Sequence, residues 1–246
     1  MKVYWLEQTE ADLPGENDWL SASEAARLTN FRFPRRRADW RLGRWTAKVA
    51  VAAYLNAPNC PRALASIEIR PAPSGAPEVF VANQPADVTI SLSHRGGVAA
   101  CAVAQSGAVL GCDLELVEPR SEAFISDYFT SEEQALVAQA ETADRFRLVA
   151  LLWSAKESAL KALHTGLRLD TRSVIVRLDE RPQAGEAGGT ACPTSVPPQP
   201  CSDPWHPLQV RCTDGESFHG WWQLTGDLLR TLAAAPQPDR PILLRI

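Results

Sequence analysis

Asp113 and Glu115 stand two apart in Gly111-Cys112-Asp113-Leu114-Glu115, and Glu157 and Lys161 stand four apart in Trp153-Ser154-Ala155-Lys156-Glu157-Ser158-Ala159-Leu160-Lys161. The first segment reads as a strand, because Val109, Leu110, Cys112 and Leu114 supply its apolar character. Side chains two apart on a strand point the same way, about 6.5–7 Å from each other, so both carboxylates face one side. The second segment reads as a helix from the stripe Leu148, Leu152, Ala155, Ala159 and Leu163, with Gly166 as its stop. On that helix Glu157 and Lys161 lie one turn apart on a common face. Hard carboxylate oxygens suit Mg²⁺, which fills the rest of its shell with water and phosphate oxygens, and Lys156 and Lys161 are point charges that suit phosphate. Together they imply a substrate carrying a pyrophosphate. The same spacings also describe a solvated strand face and a surface helix pair worth a few tenths of a kcal/mol.

A chain of 246 residues can bury a sizeable core as one large domain or two small ones. It is 45% hydrophobic and 22% charged, as expected of a globular protein, and its formal net charge of -4 argues against bulk nucleic-acid binding. No apolar run has the length of a membrane span, and the N-terminus lacks a charged-then-apolar signal segment. The cysteines Cys60, Cys101, Cys112, Cys192, Cys201 and Cys212 form no Cys-x-x-Cys pair, so neither a zinc site nor a disulfide framework is indicated. A cytoplasmic protein with free thiols is the expectation.

The elements that must position the carboxylates alternate between strand and helix patterns. Met1 to Leu6 reads as a strand with Val3 and Trp5 on one face, and Ser21 or Ser23 as the cap of a helix through Leu28. Pro34 opens a second helix whose stripe, Leu42, Trp45, Val49, Ala52 and Ala53, runs to about Leu55. Its start is strongly basic, with Arg35, Arg36, Arg37, Arg41, Arg44 and Lys48, either as a solvated face over buried tryptophans or as an anion site. Ile67 to Arg70 alternates as a short strand, followed by the turn Ser74-Gly75-Ala76-Pro77. Val88 to His94 alternates as a strand with Val88, Ile90 and Leu92 inward and Thr89, Ser91 and Ser93 outward. His94 falls at its end beside Gly96 and Gly97, which allow close backbone approach to a ligand. Val98 to Val103 returns as a hairpin leading to Gly111.

Thr130 or Ser131 is the natural cap of a helix beginning at Glu132. Just before it, Phe124, Ile125, Tyr128 and Phe129 read equally as core or as an apolar ledge for a partner helix. Strands resume at Ser173 to Leu178, Leu208 to Cys212, Phe218 to Leu224, Leu228 to Ala233 and Ile242 to Ile246. The segment 181–204, rich in Pro, Gly, Ala, Ser and Thr, reads as an extended or disordered surface insertion.

Gly-x-Asp-x-Glu followed by Trp-Ser-x-Lys-Glu-Ser-x-x-Lys, with Ser93-His94 upstream, resembles the signature of the 4'-phosphopantetheinyl transferases of the surfactin-synthetase-activating type. The resemblance implies transfer of 4'-phosphopantetheine from coenzyme A to a serine of an acyl or peptidyl carrier protein. It implies an α+β pseudo-dimer of two similar halves, 1–106 and 107–246, meeting near residues 105–108 with the active site in the cleft between them, and a monomeric molecule. Asp113, Glu115 and Glu157 would hold Mg²⁺, with Glu157 as general base or ligand or both, and Lys161 would neutralise developing charge. Arg35, Arg44, Lys48, Gly75, Ser93, His94, Lys156 and Lys161 would contact coenzyme A, and the Phe124 to Phe129 ledge the carrier. Where the family has Gly-Lys-Pro, this chain has Gly75-Ala76-Pro77, so one expected cation is missing and Arg70 or the turn's N–H groups are candidate substitutes. A non-catalytic coenzyme-A- or carrier-binding module and a Mg²⁺-dependent nucleotide phosphohydrolase remain as alternatives.

Overall fold

The computed structural model describes residues 1–178 and 204–246. In chain order, β1 (Tyr4–Thr9) leads to α1 (Ala22–Thr29), α2 (Pro34–Tyr54) and α3 (Pro61–Ala65), then to β2 (Ile67–Pro71), β3 (Pro77–Val81) and β4 (Gln84–Pro85). The hairpin β5 (Val88–Arg95) and β6 (Val98–Gln105) follows, then β7 (Val109–Leu116), α4 (Glu122–Tyr128), α5 (Ser131–Gln139) and α6 (Thr142–Ala162). The chain closes with β8 (Val174–Leu178), β9 (His206–Cys212), β10 (Ser217–Thr225), β11 (Leu228–Ala235) and β12 (Ile242–Leu243). Apart from Pro204, the 181–204 segment lies outside the described residues, as do Cys192 and Cys201.

The strands form a sheet in the order β12-β1-β6-β5, a second in the order β7-β11-β10-β9-β8, and a small sheet β2-β3-β4. α2 lies on the first, where Val49, Ala52, Ile90 and Val103 share one apolar cluster. α6 lies on the second, where Leu152, Ala155, Ala159, Val174 and Val210 share another. A third cluster joins the sheets: Trp5, Ala100, Ala102 and Ala104 pack with Leu110, Cys112, Leu232 and Ala234. Strand β6 is therefore buried on both faces, which is why it reads as a nearly continuous apolar run. The last strand, β12, pairs in parallel with β1 and so returns the C-terminus to the first sheet.

The edge strands β5 and β7 meet through side chains. Ser91 Oγ accepts from the Cys112 N–H at 2.9 Å and Ser93 Oγ from the Leu114 N–H at 3.0 Å. Both serines are buried, at 4% and 8% exposure, which corrects their expected outward placement. Their hydroxyls replace ladder carbonyls as acceptors, because unsatisfied backbone N–H groups inside this junction would be costly.

One buried constellation occurs twice. Ser21 caps α1 in a capping box with Glu24, and Thr130 caps α5 in a capping box with Glu133. Glu24 Oε1 also accepts from the Ile69 N–H at 3.2 Å, and Glu133 Oε1 from the Val176 N–H at 3.0 Å. The other oxygen of each meets a wholly buried lysine of the long helix, Lys48 Nζ at 2.5 Å and Lys156 Nζ at 2.8 Å. Each ammonium lies near an aromatic ring, Trp19 at 5.7 Å and Phe129 at 5.9 Å.

Candidate active site

Gly111 lets strand β7 run against the backbone of α6: an added Cβ there would lie 1.8 Å from the Ser158 carbonyl oxygen. This approach brings the two sequence segments together. Asp113 Oδ1 accepts from Lys161 Nζ at 2.8 Å and from Ser93 Oγ at 2.9 Å, while Oδ2 accepts from Ser154 Oγ at 2.8 Å. Lys161 Nζ also donates to the Cys112 carbonyl at 2.9 Å. Glu115 is held by Arg95 Nε at 2.9 Å and by Arg120 at 3.2 Å. Arg95 and Arg120 also meet Glu118, so both arginines bridge the strand end to the segment that follows it.

Asp113, Glu115, Glu157 and Lys161 line a single cavity of about 370 Å³ together with Ser93, His94, Arg95 and Trp153. Glu157 has no ion pair or hydrogen bond of its own among the described residues. Burial pushes its pKa up, and the charges of Asp113 and Glu115 push the same way against the pull of Lys161. Burial also raises Glu115, opposed by the Leu116 N–H and by Arg95 and Arg120. Lys161 is raised: burial disfavours its charge, but Asp113, Cys112 and Glu157 together more than offset this. Three hard carboxylates on one cavity, one of them without an ion pair among the described residues, fit a divalent cation in their chemistry. As placed, Asp113 and Glu115 are engaged by basic side chains, and among the described residues no three His, Cys, Asp or Glu groups stand together closely enough to hold a metal ion.

A larger cavity of about 680 Å³ adjoins this one and shares Leu92, Ser93, His94 and Lys161 with it. One wall is α2 and its surroundings, with Arg27, Arg36, Trp40, Gly43, Arg44 and Arg70; the other includes His164 and Gly166 just beyond α6. Arg44 Nε and Trp40 Nε1 are buried there without a hydrogen-bond partner among the described residues. Burial holds the Arg44 pKa below its ordinary value despite Glu24. Unsatisfied donors beside four arginines suit an anionic ligand.

Residues 109–195 match the model of the 4'-phosphopantetheinyl transferase superfamily. The matched stretch begins at β7 and takes in α4, α5, α6 and β8, so it contains all three carboxylates and Lys161. No curated protein matches the chain by sequence. Among solved structures, the chain is similar to holo-[acyl-carrier-protein] synthase of Helicobacter pylori in complex with coenzyme A, at 18% identity and a TM-score of 0.34. That similarity covers 42% of this chain and 99% of the other.

The matched segment thus supplies the carboxylates and Lys161 of the acidic cavity, and residues outside it supply most of the larger one. Of the expected coenzyme contacts, Arg44, Gly75, Ser93, His94 and Lys161 line the larger cavity, as does Ala76. Gly75 holds a turn at φ +93. Ser93 is also committed to Asp113 and to the β7 backbone.

Three expectations are corrected. Lys48 follows Arg44 by one turn, but α1 covers it and its ammonium is taken by Glu24 and by the Trp19 carbonyl at 2.9 Å. Lys156 is equally enclosed, by Glu133 and by the carbonyls of Thr171 and Val174. Arg35 is exposed and is not among the residues that line the cavity, whereas Arg36 is. The register of Arg44 pointed to this, since Arg36, Trp40 and Arg44 recur at four-residue intervals on one helix face. Arg27, His164, Arg95 and Arg120 carried no such signal. His164 occupies a left-handed backbone position, φ 56, after the helix end, where its side chain turns to the cavity.

In the expected ledge, Phe129 and Ile125 are core, at 0% and 5% exposure. Phe124 and Tyr128 are half-buried and meet Trp153 edge-to-face at 5.0 and 5.1 Å.

The burial of Lys156 sets a prediction. Lys156→Met leaves Glu133 charged and unpaired inside the second core, and should cost about 3–5 kcal/mol of stability in urea unfolding. A variant as stable as wild type but weaker for coenzyme A would return Lys156 to the anion site.

Proposed function

We propose that this chain transfers 4'-phosphopantetheine from coenzyme A to the serine hydroxyl of an apo carrier protein, as a two-halved transferase of the surfactin-synthetase-activating type. The observation that carries the reading is the convergence of Asp113, Glu115, Glu157 and Lys161 on a cavity continuous, through Ser93 and His94, with a larger basic one. The superfamily match over 109–195 supports the chemistry. The repeated Glu24–Lys48 and Glu133–Lys156 constellations support two similar halves, with a boundary near Gly107 between β6 and β7.

Arg36, Arg44 and Arg70 form the end suited to the 3'-phosphate, with Arg70 held in place by Glu68 at 2.6 Å and stacked 4.1 Å over Phe80. Arg70 is thereby preorganised to offset the cation missing at Ala76. Lys161 and His94, at the passage between the cavities, orient the pyrophosphate and neutralise charge as the phosphoanhydride bond breaks. Asp113, Glu115 and Glu157 are the residues that would hold Mg²⁺, which supplies positive charge to the phosphate oxygens when bound. To hold it, Asp113 would have to share its carboxylate with Lys161, and Glu115 with Arg95 and Arg120. Glu157 takes the proton from the carrier serine. The serine oxygen bonds to the β-phosphorus, and 3',5'-adenosine bisphosphate leaves with the electron pair of the broken P–O bond. Phe124 and Tyr128 are the ledge residues with surface to offer a carrier.

Incubation with coenzyme A, Mg²⁺ and an apo carrier should raise the carrier's mass by one phosphopantetheine. Adenosine bisphosphate released without carrier modification would point to hydrolysis. No change in either would leave a binding module.

A further inference from the structure

Beneath Asp113 lies a chain of hydroxyl groups, each wholly buried: Ser154, Thr231 and Ser158. Thr231 sits on β11 directly opposite Asp113 of β7, so the two side chains share the face turned to α6. Ser154 Oγ is 2.8 Å from Asp113 Oδ2 and 2.8 Å from Thr231 Oγ1, and Ser158 Oγ is 2.7 Å from Thr231 Oγ1. Proton accounting gives this chain a direction. An ionised carboxylate only accepts, and a serine hydroxyl has one proton, so Ser154 must spend its proton on Asp113. Its bond with Thr231 then requires Thr231 to donate, and Ser158 to donate in turn to Thr231. Thr231 likewise has one proton, shared in a three-centre bond between Ser154 Oγ and the Ser154 carbonyl at 2.9 Å, so both its acceptors belong to the one residue that holds Asp113. Each donor in such a series polarises the next, and the series ends on the carboxylate.

We propose that Thr231 is a positioning residue for Asp113, acting through Ser154. With Ser93 and Lys161 on Oδ1 and Ser154 on Oδ2, three of about four lone-pair directions on the carboxylate are filled. The one left open belongs to Oδ2, and Thr231 fixes where it points by ordering the Ser154 proton. The inference rests on the reading of Asp113 as a cation ligand, and deepens it by naming a residue outside the matched superfamily segment.

The probe is Mn²⁺ alone, another hard octahedral cation, with free Mn²⁺ counted by its electron paramagnetic resonance signal and no carrier or coenzyme present. Thr231→Val removes the hydroxyl at nearly constant shape and should weaken Mn²⁺ binding about 10-fold or more. Thr231→Ser should hold affinity within about twofold, which a purely structural role would not require. Equal binding by wild type and Thr231→Val overturns the inference alone, as does a loss in Thr231→Ser as large as in Thr231→Val. No Mn²⁺ binding by wild type overturns the cation reading of the carboxylates and the inference with it. Should Thr231→Val fail to fold, Thr231→Ala removes the same hydroxyl without touching the Ser154–Asp113 bond and is read by the same outcomes.

Discussion

Glu157→Gln is expected to leave the chain folded and to lower the rate of carrier loading about 10³-fold, within the range for loss of a general base. The substitution keeps the shape of the side chain and removes one charge. In most half-buried positions that would strand a partner, but Glu157 has none to strand among the described residues. Its neighbours Asp113 and Glu115 repel it, and burial disfavours its charged form. Without divalent cation the variant should therefore melt at the wild-type temperature or slightly above it. Loss of rate with an intact melt separates Glu157 from Asp113, whose exchange to Asn would also disturb Ser93, Ser154 and Lys161. The measurements are the initial rate of carrier mass gain and a thermal melt in chelator. An unreduced rate in Glu157→Gln would remove the residue from the chemistry.

The parts of this molecule that were readable in the sequence are those governed by local rules. Pro34 at the first position of α2 and the caps Ser21 and Thr130 are side-chain-to-backbone devices within a few residues, and they stand where their spacing puts them. The convergence of β7 and α6 was inferred from paired motifs rather than from either alone. What stayed hidden depends on contacts between distant segments. Lys48 and Lys156 look like surface cations until Glu24 and Glu133 are brought over them, since a buried lysine needs a partner that periodicity does not reveal. Ser91 and Ser93 read as the solvent face of β5 because no local signal says that a second strand lies beside it. Strands β3 and β4 are short and hold Pro77 and Pro85, which masks their pairing. Thr231 acquires meaning only through the β7–β11 register. Arg36, by contrast, was legible: helical spacing back from Arg44 selects it over Arg35.

Gly111→Ala is the substitution expected to damage the fold most. The added methyl would lie 1.8 Å from the Ser158 carbonyl oxygen, 2.6 Å from the Ala162 nitrogen and 2.9 Å from the Ser158 carbonyl carbon. All three atoms are helix backbone, so no side-chain rotation relieves the overlap. Strand β7 cannot retreat either, because its far face packs Leu110, Cys112 and Leu114 against the alanines of β6. Either α6 lifts from the sheet or the β7–β11 ladder breaks, and a loss of about 4 kcal/mol or more follows. The same displacement would part Lys161 from the Cys112 carbonyl and Asp113, and Ser154 from Asp113, since these contacts flank the point of closest approach. Urea unfolding reads the stability, and the carrier-loading rate of whatever fraction stays folded reads the site. A Gly111→Ala chain with wild-type stability would mean that β7 and α6 do not touch as described, and the carboxylates of the strand would then lose their route to Glu157.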